Sequence, residues 1–307
     1  MSLYRVRSRL GCFPFVLLFL ASIPLWAKVN VVTTTSDLQA ITAEIGGDLV
    51  SITAIAAGNQ DPHFVDAKPS YLVKLQRADL FVQVGMELEI GWVPNLLLNA
   101  RNPKIQVGAP GYVDASFNVQ RLQVPNEADR SAGDIHPYGN PHYWLDPHNG
   151  AIIADNICAG LVRVDPSHSA DFQNRLADFK SRLNAAIEKW TTEAAVFSGS
   201  KIVAYHDSWP YFEHCFQIHA AYFIEPKPGI PPSGRYVAEL IEKIKQDGIK
   251  VIITAPYYNP KSAQMLAEQT GAKLVVLANS VDGLPHVSTY FDLFDTNLKL
   301  LKEAFGH

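Results

Sequence analysis

The chain has 307 residues, with 26 Lys and Arg against 30 Asp and Glu, a formal net charge of −4. Three cysteines in that length exclude a disulfide-built scaffold, and the mild acidity argues against nucleic acid as a partner. Apolar residues make up 48% of the chain, enough to bury sizeable cores without cross-links.

The first residues read as a secretory leader. Arg5, Arg7 and Arg9 precede an apolar run from Phe13 to Leu20, and Ala27 offers a cleavage point, so residues 1–27 are taken as a signal peptide. The run is too short to span a bilayer as a mature helix. Cys12 lies ahead of it, so a lipid-modified cysteine is not expected after cleavage. Loss of the leader removes three arginines and no acid, leaving 23 basic against 30 acidic side chains and a net charge of −7. A soluble, periplasmic protein is expected.

About 280 remaining residues exceed one ordinary domain and suggest two lobes. Lys28 to Thr34 is a β-branched run and reads as a strand. A helix follows from Ser36 to Ile45, stopped by Gly46-Gly47. Leu49 to Ala56 is a second strand, Ser70 to Arg77 a helix and Leu80 to Val84 a third strand. Alternation of this kind gives a parallel sheet with helices on both faces. A long polar stretch from Asp165-Pro166-Ser167 to about Ala195 lacks Gly and Pro. Its apolar stripe, Phe172, Leu176, Phe179, Leu183, Ala186 and Trp190, has helical spacing. Roughly 28 residues make a rod of about 40 Å. The strand–helix scheme then repeats: strands at Lys201 to Tyr205, Ala220 to Ile224, Lys250 to Thr254 and Lys273 to Leu277, with helices from about Trp209, over Gly234 to Gln246 and over Lys261 to Glu268. The expected fold class is therefore α/β, two lobes each with a parallel sheet flanked by helices. The lobes span 28–165 and 198–307 and are joined by one rigid helix over 166–197. Cys158 and Cys215 lie in separate apolar helical runs and read as two buried thiols, with a bridge left open.

Three of the ten histidines stand out by their settings. His63 lies in Gln60-Asp61-Pro62-His63, His142 in Asn140-Pro141-His142-Tyr143-Trp144-Leu145-Asp146-Pro147, and His206 in Tyr205-His206-Asp207-Ser208-Trp209. Neutral imidazole is a common ligand for borderline metals such as zinc. Ligands in parallel α/β sheets sit outside the carboxyl ends of the strands. His206 stands at such an end and His63 follows one by a short loop, which points to a metal site in the cleft between lobes. Glu225 also ends a strand and can accept from a ligand histidine or pair with Lys227.

Together these segments resemble the cluster A-I metal-binding proteins, the substrate-binding components of zinc and manganese ABC importers. The resemblance runs through nearly all of the chain after the leader. It implies two α/β lobes bridged by one long helix and a divalent ion at their interface. In that scheme His63 and His142 come from the first lobe and His206 from the second. It also implies an ABC permease and its ATPase as partners, for a protein that works as a monomer. The family's fourth ligand is usually a carboxylate after the strand that here ends Val275-Val276-Leu277. This chain has Asn279 at the matching position and Asp282 three residues on, and water can also fill the place. Zinc-uptake members often carry a long loop rich in His and acids. Here the stretch from Asn126 to His136 is short and holds one histidine, so a metal-collecting role is not expected of it. His136 itself is a candidate fourth ligand, a ligand at the cleft mouth, or a plain loop residue.

Three nitrogen donors favour Zn2+ over Mn2+, the alternative cargo. Two other classes compete. Three histidines and a water also describe catalytic zinc, but the chain has no H-E-x-x-H pair, G-x-S-x-G turn or phosphate loop, so an enzyme such as a zinc hydrolase is not expected. An adhesion protein is the third class.

Overall fold

The computed structural model describes residues 28–66, 68–125 and 136–307. The leader, and most of the short loop ahead of His136, fall outside them. The first sheet is built from β1 (Val29–Thr33), β2 (Val50–Ala54), β3 (Leu80–Gln83) and β4 (Tyr112–Asp114), all parallel, in the order β2-β1-β3-β4. Interleaved with them are α1 (Ser36–Gly46), α2 (Pro69–Arg77) and α3 (Val93–Ala100). The second sheet repeats the plan. It contains β5 (Lys201–Ala204), β6 (His219–Phe223), β7 (Val251–Thr254) and β8 (Lys273–Val276), parallel in the order β6-β5-β7-β8. Its helices are α6 (Pro210–Phe216), α7 (Gly234–Asp247) and α8 (Lys261–Thr270). Between the sheets run α4 (Pro147–Val164) and α5 (Ser169–Ala194), and α9 (Tyr290–Phe305) closes the chain.

The long helix forms where its stripe places it. Phe172, Phe179, Leu183, Ile187, Trp190 and Ala194 are buried, while Leu176 and Ala186 of the expected stripe are half-buried at its edge. Full burial of Phe172, Phe179 and Leu183 stabilises by about 1.5–3 kcal/mol each. The 26 residues of α5 make a rod of about 39 Å. Its middle is tied to the first lobe by Arg182, which pairs with Glu44 of α1 at 2.5 Å. Its second half is tied to α9, where Trp190 Nε1 donates to Asp295 Oδ1 at 2.8 Å and the Trp190 and Phe294 rings meet at a tilt with centroids 4.9 Å apart.

One apolar core runs through both lobes. It joins Val31 and Leu80 of the first sheet, Ile157 of α4, Phe179 of α5, Ile202 and Ile253 of the second sheet, and Leu298 of α9. Two smaller cores lie on the other faces, one around Phe81 and Trp92, the other around Leu240 and Ile252. The expected strands and helices are present to within a few residues. Elements absent from the sequence reading are α3, the three-residue edge strand β4, and α9. Cys158 and Cys215 are both free, as two separate thiols. The expectation that both are buried holds for Cys158 only. Cys215 is half-buried, because the end of α6 opens on a cavity. Among the described residues, no helix is long and apolar enough to cross a membrane.

Candidate metal centre

The strand ends converge where the two sheets face each other. His63 follows β2 in a loop pinned by Trp92, whose Nε1 donates to the Pro62 carbonyl at 2.9 Å. His142 precedes a three-residue 3-10 turn, Tyr143–Leu145, ahead of α4. His206 lies two residues past the end of β5. One ring nitrogen from each of the three lies within 4.8 Å of the others. The ring centroids are 5.2 Å apart for His63 and His142, 5.7 Å for His63 and His206, and 5.8 Å for His142 and His206.

Each imidazole is oriented by an oxygen acceptor on its Nδ1. Asp61 Oδ1 holds His63 at 2.8 Å, Asn140 Oδ1 holds His142 at 2.9 Å, and Glu225 Oε2 holds His206 at 2.8 Å. Because these acceptors take the Nδ1 proton, each Nε2 keeps its lone pair. His142 Nε2 is buried and has no hydrogen-bond partner. Burial, with the charges of His63 and His206, pushes His142 well below the ordinary imidazole value, which keeps it neutral. At Asp61, burial acts to raise the carboxyl, but the hydrogen bond and charge of His63 outweigh it and hold the group below its usual value. Three imidazole nitrogens gathered at one point, one of them orphaned and held neutral by burial, are the kind of donor set a divalent ion binds.

The other predicted residues fall in different places. Glu225 accepts from His206 and also from the Gly229 N–H at 3.2 Å, so it braces both a ligand candidate and the proline-rich loop. His136 stands at the mouth of the cleft beside Gln123, Pro228 and Asp207, in a cavity of about 220 Å³. Its Nε2 is 3.1 Å from His63 Nε2. That contact occupies the His63 ring nitrogen that would face an ion. Burial pushes His136 down to about 3. Asn279 is 2% exposed, and neither side-chain polar atom has a hydrogen-bond partner. Its carbonyl accepts from Trp144 Nε1 at 2.8 Å, and the Trp144 ring lies 5.3 Å from that of His142.

Asp282 does not join the group. It is exposed, with a positive φ of 61°, in a tight turn closed by its own N–H on the Val287 carbonyl. The turn carries its carboxylate to solvent, so the expectation that it reaches the ion is corrected. Sequence reading also passed over Asp61 and Asn140 as braces. The readable signal was a repeat: Asp61-Pro62-His63 and Asn140-Pro141-His142 share an Asx two residues ahead of the histidine. In both, the Asx oxygen takes the histidine's backbone N–H as well, at 3.0 and 3.1 Å.

A sequence model of the family described as zinc-uptake complex component A, periplasmic, matches residues 31–304. The manganese ABC transporter substrate-binding lipoprotein PsaA of Streptococcus pneumoniae is 26% identical over 288 residues, covering 91% of this chain and 89% of that one. The metal ABC transporter substrate-binding lipoprotein ScbA of Streptococcus cristatus is 24% identical, with 91% and 90% covered. Among solved structures, the crystal structure of ZnuA superposes with a TM-score of 0.76 at 22% identity, covering 91% of this chain and 99% of that one. A mutant of the laminin-binding adhesin Lmb from Streptococcus agalactiae gives 0.75 at 26% identity, with 90% and 99% covered.

Proposed function

Since this chain belongs to the zinc-uptake complex component A family, we propose that it captures Zn2+ between its lobes through His63, His142 and His206. The family is one of transporter substrate-binding proteins rather than enzymes, and the chain delivers its ion to an ABC permease served by an ATPase. It acts as a monomer outside the cytoplasmic membrane, in keeping with the leader-like residues 1–27. The observation that carries this reading is the set of three inward Nε2 atoms, each fixed by an oxygen on the opposite ring nitrogen. Three imidazoles without a carboxylate suit zinc. Asn279 holds the place that the family resemblance implies for a fourth ligand, and its unpartnered amide oxygen, or a water, completes the shell. Manganese is the second reading. Two observations favour it: the manganese named for a relative such as PsaA, and the oxygen donor that Asn279 can offer.

The test is metal titration of the apo protein with zinc and manganese, alongside His63→Ala, His142→Ala and His206→Ala. A tight zinc site in the cleft, strongly weakened by each substitution, is expected. Zinc binding unchanged in all three variants would overturn the ligand set, and tighter manganese than zinc binding would transfer the cargo assignment.

A further inference from the structure

The described residues contain a third Asx-Pro-His unit, and the cleft does not use it. In Asp146-Pro147-His148, Asp146 Oδ1 accepts the His148 backbone N–H at 2.9 Å and lies 2.8 Å from His148 Nδ1, the geometry seen at His63 and His142. Capping of α4 by Asp146 accounts for the first of these contacts. It does not account for what faces the pair. Cys215, at the end of α6 in the second lobe, brings its Sγ to 3.8 Å from His148 Nδ1. One donor atom from each of Asp146, His148 and Cys215 lies within 4.8 Å of the others. They line a cavity of about 460 Å³, together with Asn118, Tyr211 and His214. That cavity shares no lining residue with the mouth of the cleft.

We propose that Asp146, His148 and Cys215 form a second metal site, outside the interlobe cleft, for a borderline divalent ion such as zinc. The spacing is close to that of a coordination shell. Bond lengths of about 2.3 Å to sulfur and 2.0–2.1 Å to nitrogen, at tetrahedral angles, separate the two donors by about 3.6 Å. The observed 3.8 Å is already near that value. The carboxylate and imidazole must part by about half an ångström to admit the ion. His148 can make that movement, since its side chain is 62% exposed.

The charge count also fits. A thiolate and a carboxylate neutralise a divalent cation, where the cleft offers three neutral nitrogens. On binding, the Cys215 thiol gives its proton to solvent and its sulfur bonds the ion. The imidazole moves its remaining proton to Nε2, freeing the Nδ1 lone pair. Water from the cavity fills the fourth position. A thiolate ligand selects zinc against manganese, so this site discriminates by donor type where the cleft does so by nitrogen count alone. The inference goes beyond the transport reading and does not rest on it.

The experiment uses the full chain carrying His63→Ala and His142→Ala, titrated with Co2+ as a spectroscopic stand-in for zinc. A thiolate-to-cobalt charge-transfer band is expected at one equivalent. It should persist in Cys158→Ser and vanish in Cys215→Ser. His148→Ala changes an exposed side chain and should leave the fold intact, yet weaken cobalt binding by at least about tenfold. Absence of the band in the parent, a band that survives Cys215→Ser, or cobalt binding unchanged in His148→Ala would each overturn the proposal. A failure of the cleft to bind zinc would leave the band untouched, so the two readings fail separately.

Discussion

The substitution Asp37→Asn tests the contact between the lobes through its dependence on pH. Asp37 stands in the first turn of α1 and is fully buried. Its Oδ1 accepts the Val281 N–H from the second lobe at 2.9 Å, and Ser36 Oγ donates to the Val281 carbonyl at 2.6 Å. Asp37 Oδ2 has no partner. Burial pushes the carboxyl up from 3.8 to about 7. In the unfolded chain it ionises near its ordinary value, so between about pH 4 and pH 7 the folded state holds a proton that the unfolded state has lost. A folded value above the unfolded one means that the parent loses stability as pH rises through this window and loses no more above it. About three pH units at 1.36 kcal/mol each give roughly 4 kcal/mol. Asparagine keeps an oxygen for Val281 and carries no charge. Asp37→Asn should therefore match the parent near pH 4, gain on it by about 1.4 kcal/mol per pH unit, and level off roughly 4 kcal/mol more stable above pH 7. Urea unfolding of both metal-free proteins across that range measures the difference, and contributions from other groups cancel. A gap that does not change with pH, or a parent that is the more stable at pH 8, would refute the reasoning.

Three further outcomes are expected. Glu225→Ala removes the acceptor on His206 Nδ1 and should weaken zinc by about 10- to 100-fold, as read by chelator competition; parent-like affinity would show that the brace does not matter. Zinc affinity should fall as pH drops through the free imidazole value of about 6.5. Because burial pushes His142 well below that value, no more than two protons should be displaced per ion there, so a three-proton slope or a flat profile would contradict the assigned site. Small-angle scattering of apo and zinc-loaded protein should nearly coincide, because α5 and the shared core brace the lobes, whereas a contraction of several ångströms would reveal a wide hinge.

Much of the architecture was legible because both halves advertise it in the same way. β-branched runs such as Val29–Thr33 and Val251–Thr254 alternate with amphipathic helices, and the stripe from Phe172 to Trp190 can only be a long helix. His63 and His206 were legible because they follow strand ends, where parallel sheets put functional groups, and Glu225 followed from the same rule, while His142 was legible from its Asn-Pro-His setting. The helix α9 was legible in principle. Thr289 and Asp292 form a capping box, and Leu293, Phe294, Leu298 and Leu301 are spaced as a helical face. The edge strand β4 was not, since three residues carry no period. The continuity of the core between lobes is a matter of packing and leaves no local trace. Asp282 misled because reach was inferred from distance along the chain, while the turn at Asp282 decides direction.

On the proposed ligand set, the site divides two to one across the cleft. His63 and His142 are each fixed by an Asx of their own lobe, while His206 leans on Glu225 of the other. The first lobe thus carries a two-nitrogen half-site, and the distance between lobes decides whether the third bond exists. Zinc–nitrogen bonds are about 2.0–2.1 Å long, so a separation of about one ångström severs one of them. A permease gripping both lobes could unload its cargo by a strain smaller than the width of an atom, with the rod intact.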